Sequence, residues 1–161
     1  MTQTTDRNIT AAFTGHRHFD RSKVNVIKSG LTAAILECYG QGIRRFISGF
    51  AQGFDIIAAE CVVELKTVHS DISLIAAIPY AGHSDHLSNY GRQLYDRLLA
   101  HTDQTFTLSD YYYARCFLAR DEFMVSQCSR LIAYYDGRER GGTYYTVRKA
   151  KEQGIPVLNL F

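Results

Sequence analysis

RFISGFAQGFDIIAAECVVEL, residues 45–65, passes from one kind of segment to another within a few positions. RFIS is short and apolar, with no polar alternation. It reads as a strand buried on both faces. Gly49 and Gly53 then bracket a turn. Beyond it, Ile57, Cys61 and Leu65 step by four along one face of a helix. Strand, glycine turn and helix in that order form the repeating unit of a parallel sheet covered by helices.

The rest of the chain repeats the unit. Apolar runs at 9–14 (ITAAFT), 72–78 (ISLIAAI), 104–108 (QTFTL), 131–135 (LIAYY) and 157–161 (VLNLF) read as further buried strands. Helical spacing joins Val24, Ile27, Leu31, Ile35 and Cys38, then Leu87, Tyr90, Leu94 and Leu98, and then Phe117, Met124 and Cys128. The last helix is predicted to open at Gly142–Thr143 and to stop at Gly154, with Pro156 two residues on. The expectation is an α/β, Rossmann-like three-layer sandwich with a mainly parallel central sheet. Residues 1–8 read as a polar tail and 9–161 as one domain.

Composition narrows the class. The chain has 161 residues, 46% hydrophobic and 21% charged. A chain of that length buries roughly 70% of its unfolded surface and needs no staples. Eighteen Lys and Arg against sixteen Asp and Glu exclude a polycationic binder, though not a local basic face. No apolar run approaches about 18 residues, so no membrane span is expected. Cys38, Cys61, Cys116 and Cys128 form no CxxC pair and read as buried, reduced thiols of a cytoplasmic protein.

In a parallel sheet, ligands meet the loops after the strands. Those loops hold Gly15, His16 and Arg17 after the first strand, Ser48 to Asp55 after the second, Pro79 after the third and Asp136 to Thr143 after the fifth. Gly141 and Gly142 open a helix whose unpaired N–H groups favour an anion, and Thr143 can cap that helix or donate to a phosphate. Asp55 can accept from sugar hydroxyls or cap its own helix, the commoner role. Arg120 lies beside Asp121 on a helix that otherwise looks buried. It either pairs with Asp121 on a solvated face or points at a ligand.

His16 and His18, with His83 and His86, fit no zinc spacing and have no cysteine partner. Neither a metal nor a cofactor is therefore expected. Tyr111, Tyr112, Tyr113, Tyr134, Tyr135, Tyr144 and Tyr145 can stack on a base or fill core and interface. Around the last glycine turn, Arg130, Arg138, Arg140, Arg148, Lys149 and Lys151 outnumber Asp136, Glu139 and Glu152.

Taken together, these segments resemble the SLOG superfamily, which includes DprA, the LOG phosphoribohydrolases and the YpsA-like proteins. SGFAQGFDIIAAECVVEL looks like the DprA segment SG-x-A-x-G-[IV]-D with its Ala-rich helix. GGTYYTVRKAKEQGIPV looks like the second glycine turn of that family, and TGHR at 14–17 is most similar to the YpsA-like branch. The resemblance implies a Rossmann-like fold and a pocket for a nucleotide-derived ligand between the two glycine turns. LOG enzymes cleave an N-glycosidic bond with an Arg, which Arg120 matches, and a Glu after the glycine turn. Tyr144, Tyr145, Thr146 and Val147 stand where that Glu is sought, and only Glu139 or Asp121 is left to substitute.

The expected function is binding, with sensing as one form of it, of a phosphorylated nucleotide derivative. Gly15, His16, Arg17, Ser48, Gly49, Gly53, Asp55, Pro79, Arg120, Asp136, Gly141, Gly142 and Thr143 are the candidate contacts. The alternatives are a nucleoside-monophosphate N-glycosidase, with Arg120 catalytic, and DprA-type single-stranded DNA binding. The expected partners are a small nucleotide derivative and a second copy of the chain in a homodimer, with no membrane.

Overall fold

The computed structural model describes residues 6–161. Of the polar N-terminal stretch, residues 1–5 lie outside the described residues. Six strands and five α-helices alternate: β1 (Thr10–Gly15), α1 (Val24–Gly40), β2 (Arg45–Ser48), α2 (Phe54–Lys66), β3 (Ser73–Ile78), α3 (Asn89–Leu99), β4 (Gln104–Thr107), α4 (Cys116–Gln127), β5 (Arg130–Tyr134), α5 (Gly142–Glu152) and β6 (Val157–Asn159).

All five strand pairings are parallel, in the order β4-β3-β2-β1-β5-β6. The chain steps outward from β1 to β4. It then crosses back to lay β5 on the other side of β1. That reversal opens a crevice at the carboxyl ends of β1 and β5, where open α/β sheets bind ligands.

The strands divide their side chains between two cores. Ala11 and Phe13 of β1, Phe46 and Leu74 pack with Ile27, Leu31 and Ile35 of α1, Phe54 and Ala58 of α2, and Leu98 of α3. Ala12, Ile47, Ile75 and Ala133 face the opposite way, onto Met124 and Val125 of α4 and Val147 and Ala150 of α5. The period of two along each strand thus feeds both faces, which is why the runs read as continuously apolar. All four cysteines are buried and free. Among the described residues, no helix is long and apolar enough to cross a membrane.

The predicted strands hold, with ends moved by one or two residues. β4 stops before Leu108, although the Leu108 N–H still donates to Ile78 O at 3.0 Å. β6 is shorter than the run 157–161 because a side chain takes over its ladder. Asn159 Oδ1 accepts from the Tyr135 N–H at 3.0 Å, and its Nδ2 donates to Tyr135 O at 2.9 Å. The last helix ends as read, before Gly154 at φ +72°.

Candidate functional site

The turn after β2 is built from within. Ser48 Oγ donates to Asp55 O at 2.8 Å and accepts from the Phe50 N–H at 3.2 Å. Phe50 holds φ 57°. That left-handed conformation costs a residue with a Cβ roughly 1–2 kcal/mol. The Phe50 ring is buried against Tyr95, with centroids 5.3 Å apart. Burial of so large an aromatic surface offsets the strain. Gly53, at φ +82°, lets the β1 loop close down: a Cβ there would lie 2.3 Å from the carbonyl oxygen of Arg17. The Phe54 N–H donates to His16 O at 3.2 Å across the same junction.

α4 brings Arg120 onto this turn. Its Nη1 donates to Gly49 O at 2.7 Å and its Nε to Asp121 Oδ1 at 2.8 Å. The contact with Gly49 needs the absent side chain, since a Cβ there would lie 2.8 Å from Nη1. Arg120 is 4% exposed, so the pair with Asp121 is buried and the solvated-face alternative is excluded. Among the described residues no bond engages the other terminal nitrogen, Nη2.

Asp55 does not cap its helix. Gly53 is the N-cap of α2 and no side chain caps it. The Asp55 carboxyl is instead 6% exposed, and its Oδ1 has no hydrogen-bond partner among the described residues. Burial pushes its pKa up to about 7, with Asp121 adding to the shift and Arg120, the Ala51 N–H and Arg17 opposing it. Burial also raises the Asp121 carboxyl, against the pull of Arg120.

Thr143 does not cap either. Gly141 is the N-cap of α5, with no side-chain cap bond, so the first N–H groups of that helix carry no side-chain partner. Asp121 Oδ2 lies 3.5 Å from where a Cβ on Gly142 would stand, close to the same helix end.

These elements enclose a cavity of about 410 Å³ lined by Thr14, Gly15, His16 and Arg17 of the β1 loop, Ala51 and Asp55 of the β2 turn, Ala114, Phe117, Leu118, Arg120 and Asp121 at α4, and Gly142 and Thr143 of α5. His16 and Arg17 also border a neighbouring, wider cleft of about 600 Å³, with Asp136 and Gly141 on its walls. His16 Nε2 lies 2.9 Å from the Asp136 N–H and 3.2 Å from its carboxylate. A bare Nε2 accepts from that N–H, whereas an Nε2–H donates to the carboxylate, so one nitrogen serves only one of the two contacts at a time. The Arg138 N–H chiefly holds the Asp136 carboxyl below its ordinary range.

The structure therefore gathers Gly15, His16, Arg17, Asp55, Arg120, Gly142 and Thr143 around one cavity, with Asp136 and Gly141 beside it. Ser48, Gly49 and Gly53 shape the β2 turn without lining the cavity. Pro79 is buried in the turn after β3 and does not reach it. Phe117 is a wall residue that the sequence reading misses, although an aromatic one turn before a buried Arg on the same helix face is a readable hint. Its ring lies under Arg17, 5.1 Å from the guanidinium carbon. Asp121 lines the cavity, whereas Glu139 lies on a separate surface groove with Tyr135 and Tyr144. His83 and His86 are neighbours, with ring centroids 6.4 Å apart. Among the described residues no group of three or more His, Cys, Asp or Glu is placed to share an ion.

The profile of the YspA SLOG family matches residues 11–155, which span both glycine turns and the whole sheet up to β6. The chain belongs to the YspA SLOG family. This SLOG chain is 26% identical over 152 residues to a UPF0398 protein of Bacillus cereus strain B4264, covering 89% of this chain and 83% of the relative. Its fold is similar to DNA processing protein A from Streptococcus pneumoniae, with a TM-score of 0.66 and 18% identity, over 94% of this chain but only 50% of that one. The Helicobacter pylori DNA processing protein A, described for its single-stranded DNA binding mode, gives a TM-score of 0.67 and 18% identity over 99% of this chain and 68% of that one. At these identities the likeness to solved structures is one of fold.

Proposed function

We propose that this SLOG protein binds, and by binding senses, a phosphorylated nucleotide or nucleotide-derived ligand in the cavity at the carboxyl ends of β1 and β5. The observation that carries the reading is Asp55 Oδ1, a buried acceptor at the cavity with no partner among the described residues. An unpaired buried polar atom is costly unless something else completes it. Sugar hydroxyls of a bound ligand supply the missing donors. The uncapped start of α5 and the Thr143 hydroxyl receive the phosphate, and Arg17 complements its charge. Arg120 presents its remaining N–H donors to the same ligand.

A thermal-shift screen with ribonucleoside 5′-phosphates tests this. A ligand at 100 times its Kd adds about 2.7 kcal/mol, a rise of about 5–10 °C for a domain of this size. The shift is expected in the wild type and is lost in D55N. No shift with any nucleotide contradicts the reading.

One observation favours a second reading, LOG-type hydrolysis. Asp121 shares the cavity with Arg120, so a carboxylate is present although none follows the glycine turn. In that reaction water cleaves the C–N bond of a nucleoside monophosphate, giving free base and ribose 5-phosphate. Release of free base, abolished in R120A, would establish it. DprA-type single-stranded DNA binding would instead show steep salt dependence and no response to mononucleotides. Self-association is proposed on the exposed Tyr90, Tyr111 and Tyr112, and light scattering measures it.

A further inference from the structure

Apart from Arg17, which it shares with the neighbouring cleft, the cavity is poor in free positive charge. Arg120 is already compensated by Asp121 at 2.8 Å, and Asp55 adds a second carboxyl. A ligand with more than one phosphate gains little there. The adjoining cleft is different. Its walls carry Arg17, Lys23, Arg138 and Arg140, against two carboxylates that are both engaged. Asp20 accepts from the Ser22 N–H at 2.8 Å, and Asp136 pairs with Arg138 at 3.2 Å. Among the described residues, Arg17, Lys23 and Arg140 make no ion pair. Solvated cations converging on one concavity repel one another, so an anion between them relieves that repulsion.

The two spaces also adjoin. His16 and Arg17 border both. The start of α5 straddles the junction, with Gly141 on the cleft side and Gly142 and Thr143 on the cavity side. A phosphate at that helix end therefore faces the cleft. The first cavity holds about 410 Å³. It is by itself the size of a small-molecule site, commonly roughly 300 to 1000 Å³.

We infer that the cleft is a subsite for a second phosphate, so that the ligand is a nucleoside 5′-diphosphate or a longer phosphate ester rather than a monophosphate. The inference rests on the nucleotide reading of the adjoining cavity. The sugar lies over Asp55 and the first phosphate at α5. The next phosphate passes over His16 toward Lys23 and Arg140.

Isothermal titration of the wild type at fixed salt with paired 5′-monophosphates and 5′-diphosphates of the four common ribonucleosides tests it. For the base that binds, the diphosphate is expected to bind about tenfold tighter or more, the range of one or two added charge-assisted contacts. In K23A/R140A the ratio is expected to fall to about one. Both residues are exposed, so the variant is expected to fold, and a thermal melt checks that. Equal affinity for the two ligands, or a preference that survives the double substitution, overturns the subsite and leaves the nucleotide reading intact. Failure of every nucleotide to bind overturns both.

Discussion

Arg120 Nη1 donates to the backbone carbonyl of Gly49 across 2.7 Å, joining α4 to the turn after β2 over 71 positions of sequence. The contact locks the floor of the cavity. It also explains why position 49 carries no side chain, because a Cβ would stand 2.8 Å from that nitrogen. Gly49→Ala is expected to push the guanidinium off its seat and to destabilise the fold by about 1–3 kcal/mol, the range for overpacking a closed core. A urea titration checks the loss. A second expectation is that the variant also binds ligand less tightly, since Arg120 moves with it.

Removing Arg120 strands its partners. In Arg120→Ala, the buried Asp121 is left without its guanidinium. Breaking one side of a buried ion pair destabilises by roughly 3–5 kcal/mol. Arg120→Lys is expected to recover only part of this, because an ammonium cannot serve Gly49 O and Asp121 from one rigid fork. Chemical denaturation of the two variants side by side gives the comparison.

Asp55 and His83 pull the pH profile in opposite directions. The Asp55 carboxyl titrates near 7 in the folded state against an ordinary 3.8, so the native protein retains a proton that the unfolded chain has released. Its contribution to stability is greatest below about pH 4 and is lost as pH rises to 7, on the order of 4 kcal/mol. His83, buried with Nδ1 3.0 Å from the Tyr95 hydroxyl, is pushed down to about 3, mainly by burial. Its contribution is present above about pH 6.5 and falls away as pH drops, by a similar order. The wild type is expected to be nearly flat between pH 4 and 6.5 on these two groups. Asp55→Asn removes one slope: about 2–4 kcal/mol more stable than wild type at pH 8, no gain near pH 4, and steeper acid loss. Thermal melts across that range measure it.

The same titration marks ligand binding. If ionised Asp55 accepts from ligand hydroxyls, affinity rises with pH up to about 7 and levels above it, by up to about tenfold per unit below that point. The phosphate's own titration, near 6, adds its own dependence below that point. Isothermal titration at several pH values separates the two.

The order of elements was legible because strands buried on both faces and amphipathic helices have different periods. Residues 45–65 show that switch within one turn. Gly141 and Gly154 were legible as helix boundaries because glycine acts locally. Asp55 was not. Near a helix start, a cap is the local expectation, and only the packing of α4, some sixty residues away, seals the carboxyl from water. Lys23 and Arg140 meet across one cleft because β5 returns to pair with β1, a long-range choice of strand order that no local pattern records.

On the proposal made above, a nucleotide-derived ligand completes Asp55 in the β1–β5 cavity. Native mass spectrometry of the freshly purified protein and of D55N, each also incubated with ribonucleotides, decides whether it does. A one-to-one adduct of nucleotide mass is expected on the wild type, released on denaturation and absent from D55N. Bare polypeptide under every condition, or an adduct that D55N retains in full, would contradict it.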